Sequence, residues 1–279
     1  MFLSVLHYKI INQDSRLPWA VFIHGAGGSI ETWKYQTDAY QEHFRVLLLD
    51  LRDHGKSQSE GKNENSYTFE LISSDILEVL FHLGIQRAVF ISLSFGSVLL
   101  QDLSMRAPGM VRAAVMAGAI FRGNVPIRLF VAAARLFNVF LPYRMMYSMF
   151  SYLLMPKDSH QRSRRIYRLQ ARKIDPEAYL RWVTLYDEFF RLLTRFWNQQ
   201  IEFPVMVVMG SDDYVFLKTA REFASKNRRV MIHEIDGAGH ICNIDDPKEF
   251  NQISLKFLRS SDLLFNVPVE PGSEIKPEY

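Results

Sequence analysis

Short apolar runs alternate along this chain with longer stretches whose apolar residues recur at helical spacing. That alternation is the signature of a largely parallel β-sheet with helices on both faces, because parallel neighbours need a crossover and strands covered on both sides are apolar throughout. Trp19–Ile23 is the first strong strand, Val46–Leu49 the second, Ala88–Ile91 the third and Ala113–Met116 the fourth. Each leads into a loop rich in Gly, Ser or Asp. Phe69, Ile72, Ile76, Val79, Leu80 and Leu83 share one helix face that stops at Gly84, a C′ residue. After residue 121 the rhythm changes, and Val125 to about Gln200 reads as helical with no convincing strand. This segment is rich in Phe130, Phe137, Phe140, Met145, Met146, Met149 and Phe150, then basic from Lys157 to Lys173. Strand rhythm resumes at Pro204–Met209 and Val230–Ile235. Asp246 as N-cap, Pro247 at N1 and Glu249 at N3 open a last helix with Phe250, Ile253, Phe257 and Leu258 on one face. The tail beyond Ser261, with its prolines, is expected to be irregular.

Composition narrows the class. A chain of 279 residues with 48% apolar residues can bury a substantial core, and dividing by about 150 residues per domain leaves one or two domains open. The one cysteine, Cys242, excludes an intrachain disulfide and a multi-cysteine zinc module. A net charge of +3, without a basic tail, gives no reason to expect a nucleic-acid partner. The first residues lack a basic start, a sustained apolar stretch and a cleavage site, so a cytoplasmic address is expected. Ile127–Met155 is the most membrane-like region, but Arg128, Arg135 and Arg144 interrupt it below the roughly 18 apolar residues of a span, so no transmembrane helix is expected.

The chemistry concentrates in loops that follow strands. Val89-Phe90-Ile91-Ser92-Leu93-Ser94-Phe95-Gly96-Ser97 runs from strand through small residues into a helix, a turn that holds its central side chain, Ser94, outward. Ser92 and Gly96, two before and two after, permit close approach of strand and helix. A serine hydroxyl needs a histidine base, which needs an acid to fix its tautomer. His240, in Gly237-Ala238-Gly239-His240 between a strand and the capped last helix, is the best placed of eight histidines. His233 lies inside a strand pattern, and His7, His43, His82 and His160 have no comparable setting. Asp213, in Gly210-Ser211-Asp212-Asp213, is the acid candidate, with Asp212 competing and Asp236 weaker. The glycine-rich loop His24-Gly25-Ala26-Gly27-Gly28-Ser29 follows the first strong strand, and the amides of Ala26 and Phe95 are the expected oxyanion donors. A dinucleotide fingerprint starting at Gly25 fails at Ile30, and a P-loop ending in Gly55-Lys56-Ser57 fails at Asp50.

These segments together resemble the α/β-hydrolase fold, in its capped esterase and lipase-like form. The likeness rests on His24-Gly25-Ala26-Gly27-Gly28, on Asp50-Leu51-Arg52-Asp53-His54-Gly55-Lys56-Ser57, similar to the family's D-x-R-G-H-G-x-S loop, on Ser94, on Gly210-Ser211-Asp212-Asp213, and on Gly239-His240. Serine replaces glycine at position 92 and aspartate replaces glycine at position 53; the second is read as loop structure or pocket polarity. The resemblance implies Ser94 as nucleophile, His240 as base and Asp213 as acid, in the family's chain order. It implies a core of residues 1–120 and 202–279 with 121–201 as an inserted helical cap, and Arg52 and His54 as loop-orienting residues. Dehalogenases and epoxide hydrolases of this fold carry aspartate at the elbow, so Ser94 points to acyl transfer. The expected activity is hydrolysis of a small to medium carboxylic ester with an apolar portion, using no metal and no cofactor. A lactonase, a thioesterase, a carbon–carbon bond hydrolase, or a ligand-binding or signalling protein on the same fold remain as alternatives. Arg164, Arg165, Arg168, Arg172 and Lys173 are read as a solvated helix face, and Cys242 as a bystander near the site.

Overall fold

The computed structural model describes residues 6–57, 67–123, 128–129, 131–133, 136 and 141–260. Phe130, Phe137, Phe140 and the tail beyond Ser261 lie outside the described residues. Seven strands form one sheet in the order β1-β3-β2-β4-β5-β6-β7, with β1 Tyr8–Ile11, β2 Trp19–Ile23, β3 Arg45–Leu49, β4 Ala88–Leu93, β5 Val111–Ala117, β6 Val205–Gly210 and β7 Val230–Ile235. Every pairing is parallel except β1 with β3. The six strands expected from apolar runs are all present, each end within two residues of the expected bound. The sequence reading did not single out β1: YKII is short and only partly buried, so its place on the edge of the sheet depends on pairing with β3.

Side-chain alternation sorts each strand between two cores. Val21 and Ile23, Leu47 and Leu49, Ala114 and Met116, and Val205 and Val207 face one layer. That layer is closed by α2 (Phe69–His82), α3 (Phe95–Arg106) and α8 (Leu217–Lys226). Ala20 and Phe22, Val46 and Leu48, Val115 and Ala117, and Met206 and Val208 face the other. Trp33, the end of α1 (Thr37–Gln41) and the final helix α10 (Pro247–Ser260) cover it, with Phe250, Phe257 and Leu258 buried. Asp246 Oδ1 accepts the Glu249 amide at 2.9 Å, the N-cap read from sequence. Helix α2 ends as its sequence indicates, with Gly84 at φ +66° and the Ile85 amide bonded to Leu80 O.

Between β5 and β6 the described chain is helical: α4 (Tyr143–Leu154), α5 (Gln161–Ala171), α6 (Pro176–Val183) and α7 (Tyr186–Trp197). Helix α9 (Cys242–Asp245) precedes α10. The expected solvated face of α5 holds only in part. Arg165, Arg172 and Lys173 are exposed, but Arg164 is buried, donating to Met155 O at 2.5 Å and Lys157 O at 2.7 Å and so satisfying carbonyls between α4 and α5. Among the described residues no helix is long and apolar enough to cross a membrane.

Candidate active site

The sheet order explains where the loops converge. From β2 the chain moves outward to β3 and then returns across β2 to β4, so the carboxyl ends of β2 and β4 diverge at a topological switch point, where open α/β sheets place ligands. Ile23 and Ser92 are partners in the β2–β4 register, which sets the glycine loop beside the β4–α3 turn. Ser94 caps α3 with φ +52° and ψ −120°, a conformation costly for a residue with a Cβ. The amide of Ser94 donates to Ala117 O at 2.9 Å, and Ser94 O accepts from the Ser97 amide and Oγ at 2.8 and 2.6 Å. Gly96 makes the crossing possible: a Cβ there would lie 2.5 Å from Ile23 O and 2.6 Å from His24 O. Ser92, where the family pattern has glycine, is fully buried.

Ser94 Oγ and His240 Nε2 lie 2.7 Å apart, and His240 Nδ1 lies 2.7 Å from Asp213 Oδ2. The carboxylate requires a proton on Nδ1, which leaves Nε2 as acceptor for the serine hydroxyl. Asp213 is fully buried, and its other oxygen accepts the Phe216 amide at 3.1 Å. The Phe216 ring packs on the imidazole at a centroid distance of 5.1 Å. Gly118, at φ +50°, leaves room for this loop, since a Cβ there would lie 2.4 Å from His240 O. The structure thus brings together Ser94, Asp213 and His240 from three separate loops. It does not bring Asp212 to His240. Asp212 Oδ1 accepts from Lys157 Nζ at 2.7 Å and Tyr214 Oη at 3.0 Å, and the Lys157 ammonium holds its carboxyl below the usual carboxylate range. Asp236 binds the Ser211 hydroxyl at 3.3 Å on the exposed side.

The glycine loop is pinned by two neutral histidines. His24 Nδ1 donates to Gly25 O at 2.8 Å while Nε2 accepts the Leu51 amide at 3.0 Å. His54 Nδ1 donates to Arg52 O at 2.8 Å while Nε2 accepts the Gly27 amide at 3.0 Å. Burial pushes His24 down to about 4 and His54 down to about 3, the latter helped by its neighbour His24. Both therefore stay uncharged and orient backbone, as expected for His54. A Cβ on Gly25 would lie 3.1 Å from Ser94 Cβ and 3.7 Å from Phe95 N, so this loop passes directly over the turn that carries the serine. Arg52 is held by a buried bidentate pair with Asp75, both bonds 2.6 Å.

An apolar slot of about 60 Å³ opens on Ser94 and His240. Its walls are the glycine loop, Leu93, Ile241 and Ile244 from the sheet side, and Leu154, Ile166, Tyr167 and Gln170 from α4 and α5. Ser29 Oγ donates to Gln170 Oε1 at 2.9 Å across this junction. Three further ties were not visible in the sequence. Asp53 sits at φ +60°, the left-handed backbone that explains glycine in the family loop, and it accepts from Tyr67 Oη at 2.5 Å and Arg181 at 3.4 Å. Lys157 reaches Asp212, as above. His160, given no site role by its setting in the sequence, is fully buried; its Nε2 donates to Gly237 O at 3.1 Å, and its ring packs against Gly239, beside His240. No local pattern signals these pairs, because their partners are 14 to 128 residues away. Cys242, two residues after His240, is fully buried with its thiol pushed well up by burial.

Residues 20–253 match the Alpha/beta hydrolase family. Epoxide hydrolase 3 of Mus musculus is 24% identical over 287 aligned positions, covering 93% of this chain and 74% of that protein. A putative esterase/lipase of Haemophilus influenzae is 30% identical over 111 residues, 39% of this chain and 37% of that protein. Among solved structures, the enol-lactonase from Burkholderia xenovorans LB400 superposes with a TM-score of 0.75 at 25% identity, covering 91% of this chain and 96% of that one. A mostly parallel seven-stranded sheet and a match across most of its length lead to one assignment: the chain belongs to the alpha/beta hydrolase family and is a hydrolytic enzyme.

Proposed function

We propose that the protein hydrolyses a small to medium carboxylic ester through an acyl-enzyme, with Ser94 as nucleophile, His240 as general base and Asp213 as its orienting acid. The observation that carries this reading is the unbroken chain of two 2.7 Å hydrogen bonds from Asp213 through His240 to Ser94. In the forward step Ser94 Oγ bonds to the ester carbonyl carbon as its proton passes to His240 Nε2. Collapse of the tetrahedral intermediate expels the alcohol, which takes that proton, and water then repeats the sequence on the acyl-enzyme. The amides of Ala26 and Phe95 are the proposed donors to the oxyanion, supported by the passage of the Gly25 loop over the Phe95 amide. The segment 121–201 is proposed as the cap, supported by the α4 and α5 side chains that wall the slot.

A second reading, a lactonase, uses the same groups on a cyclic ester and is favoured by the likeness to the enol-lactonase. Epoxide opening fits less well, since the relatives named for it share a fold whose elbow in that activity bears a carboxylate, and here the position is Ser94. The test is a fluorophosphonate probe with a panel of p-nitrophenyl esters and lactones. Ser94 should be the labelled residue, and Ser94→Ala should lower turnover by about 10³-fold or more. Retained turnover in that variant would remove Ser94 from the mechanism.

A further inference from the structure

A second, larger cavity lies between α4 and α5. It measures about 260 Å³ and is lined by Arg144, Tyr147 and Ser148 from α4 and by Arg168, Ala171 and Arg172 from α5. Tyr147 links the two spaces. Its ring abuts Gly27 of the glycine loop, where a Cβ would lie 2.8 Å from Tyr147 Cε1. On the slot side it meets Tyr167 at a centroid distance of 5.5 Å. Two contacting tyrosine rings thus form the partition between an apolar slot and a basic cavity.

The segment that holds this cavity is strongly basic. Residues 121–201 carry 14 Lys and Arg against 5 Asp and Glu, a net +9, while the whole chain carries only +3. Elsewhere in the molecule arginines find carboxylates, as Arg52 does with Asp75 and Arg221 with Glu234. Among the described residues Arg144, Arg168 and Arg172 have no carboxylate partner. Arg144 is instead braced by a neutral group, donating from Nε to Tyr143 Oη at 3.2 Å. Like-charged guanidinium groups gathered around one hollow repel one another unless an anion sits between them. A guanidinium presents a planar fork of donors that matches a tetrahedral oxyanion, and three forks with a serine hydroxyl suit a doubly charged one.

We propose that the cavity between α4 and α5 binds a phosphoryl group, held by Arg144, Arg168 and Arg172 with Ser148 as hydroxyl partner. The volume leaves room for part of the molecule that bears the phosphate, so a soluble phosphate ester and a phospholipid headgroup present the same chemistry.

The test is calorimetric titration of the full chain with inorganic phosphate and with phenyl phosphate at constant ionic strength. Saturable binding below about 10 mM is expected, weakened about tenfold or more by Arg168→Gln and by Arg172→Gln. Unchanged melting temperatures would show that these variants are folded. No saturation, equal affinity for acetate, or unaltered affinity in both variants would overturn the proposal. Sedimentation with phosphatidylcholine vesicles with and without phosphatidate separates the sources. Binding to phosphatidate vesicles that is lost in Arg168→Gln assigns a headgroup, and binding of the soluble phosphates alone assigns a free ester. The readout is independent of the Ser94 mechanism, because the titration is repeated on Ser94→Ala.

Discussion

The two adjacent aspartates of the β6 loop turn to different partners. Asp213 is the acid expected from sequence and Asp212 its competitor; Asp212 turns to Lys157 and Tyr214, and Asp213 to His240. Asp213→Asn should therefore lower turnover of a p-nitrophenyl ester by about 10²- to 10⁴-fold, because an amide no longer fixes the Nδ1–H tautomer. Asp212→Asn should cost less than about tenfold, because its partners lie outside that hydrogen-bond chain. The reverse ranking in steady-state assays would reassign the acid. The same scale accounts for Asp53. Its departure from glycine places a carboxylate at φ +60°, where the backbone cost is offset by its bonds to Tyr67 and Arg181. These roles could not be read from residue identity, since each depends on a partner distant in the chain.

At the scale of elements, the β4–α3 turn is the most tightly specified feature. The strand must end, reverse and enter a helix while passing beneath the β2 loop, and Gly96 is the residue that lets it. Gly96→Ala should destabilise the fold by about 1–3 kcal/mol, seen as a lower denaturation midpoint, because its methyl group would press on the carbonyls of Ile23 and His24. A midpoint unchanged from the parent protein would contradict this crossing geometry. Elements with strong period were legible in the sequence, as α2 and α10 show by matching their expected caps at Gly84 and Asp246. The edge strand β1 was not, because a four-residue half-buried segment gains its place only from pairing with β3. The α5 arginines show the same limit: helical spacing identified the stripe, and only packing against α4 turned Arg164 inward and placed Arg168 and Arg172 on a cavity.

For the whole molecule, the two buried histidines couple the site's geometry to pH. Their folded-state values, about 4 for His24 and about 3 for His54, lie below the ordinary 6.5, so the unfolded chain binds the extra protons. Their contribution to stability is therefore fully present above about pH 6.5 and is lost as pH falls from there toward 4 and 3. Denaturant unfolding at pH 5 should show a loss of about 1–2 kcal/mol per histidine relative to pH 7. A flat profile over that range would mean that neither imidazole is held neutral. By itself the sequence determined the α/β class, six strands in order and the family, and it singled out Ser94, His240 and Asp213, with Asp212 competing, as candidates, since these follow from local periodicity and from motifs confined to single loops. Only the tertiary structure decided what Asp212 pairs with, where β1 pairs, and which arginines meet around a cavity. Those outcomes depend on contacts between segments far apart in the chain, and the pattern within one segment carries no record of what packs against it.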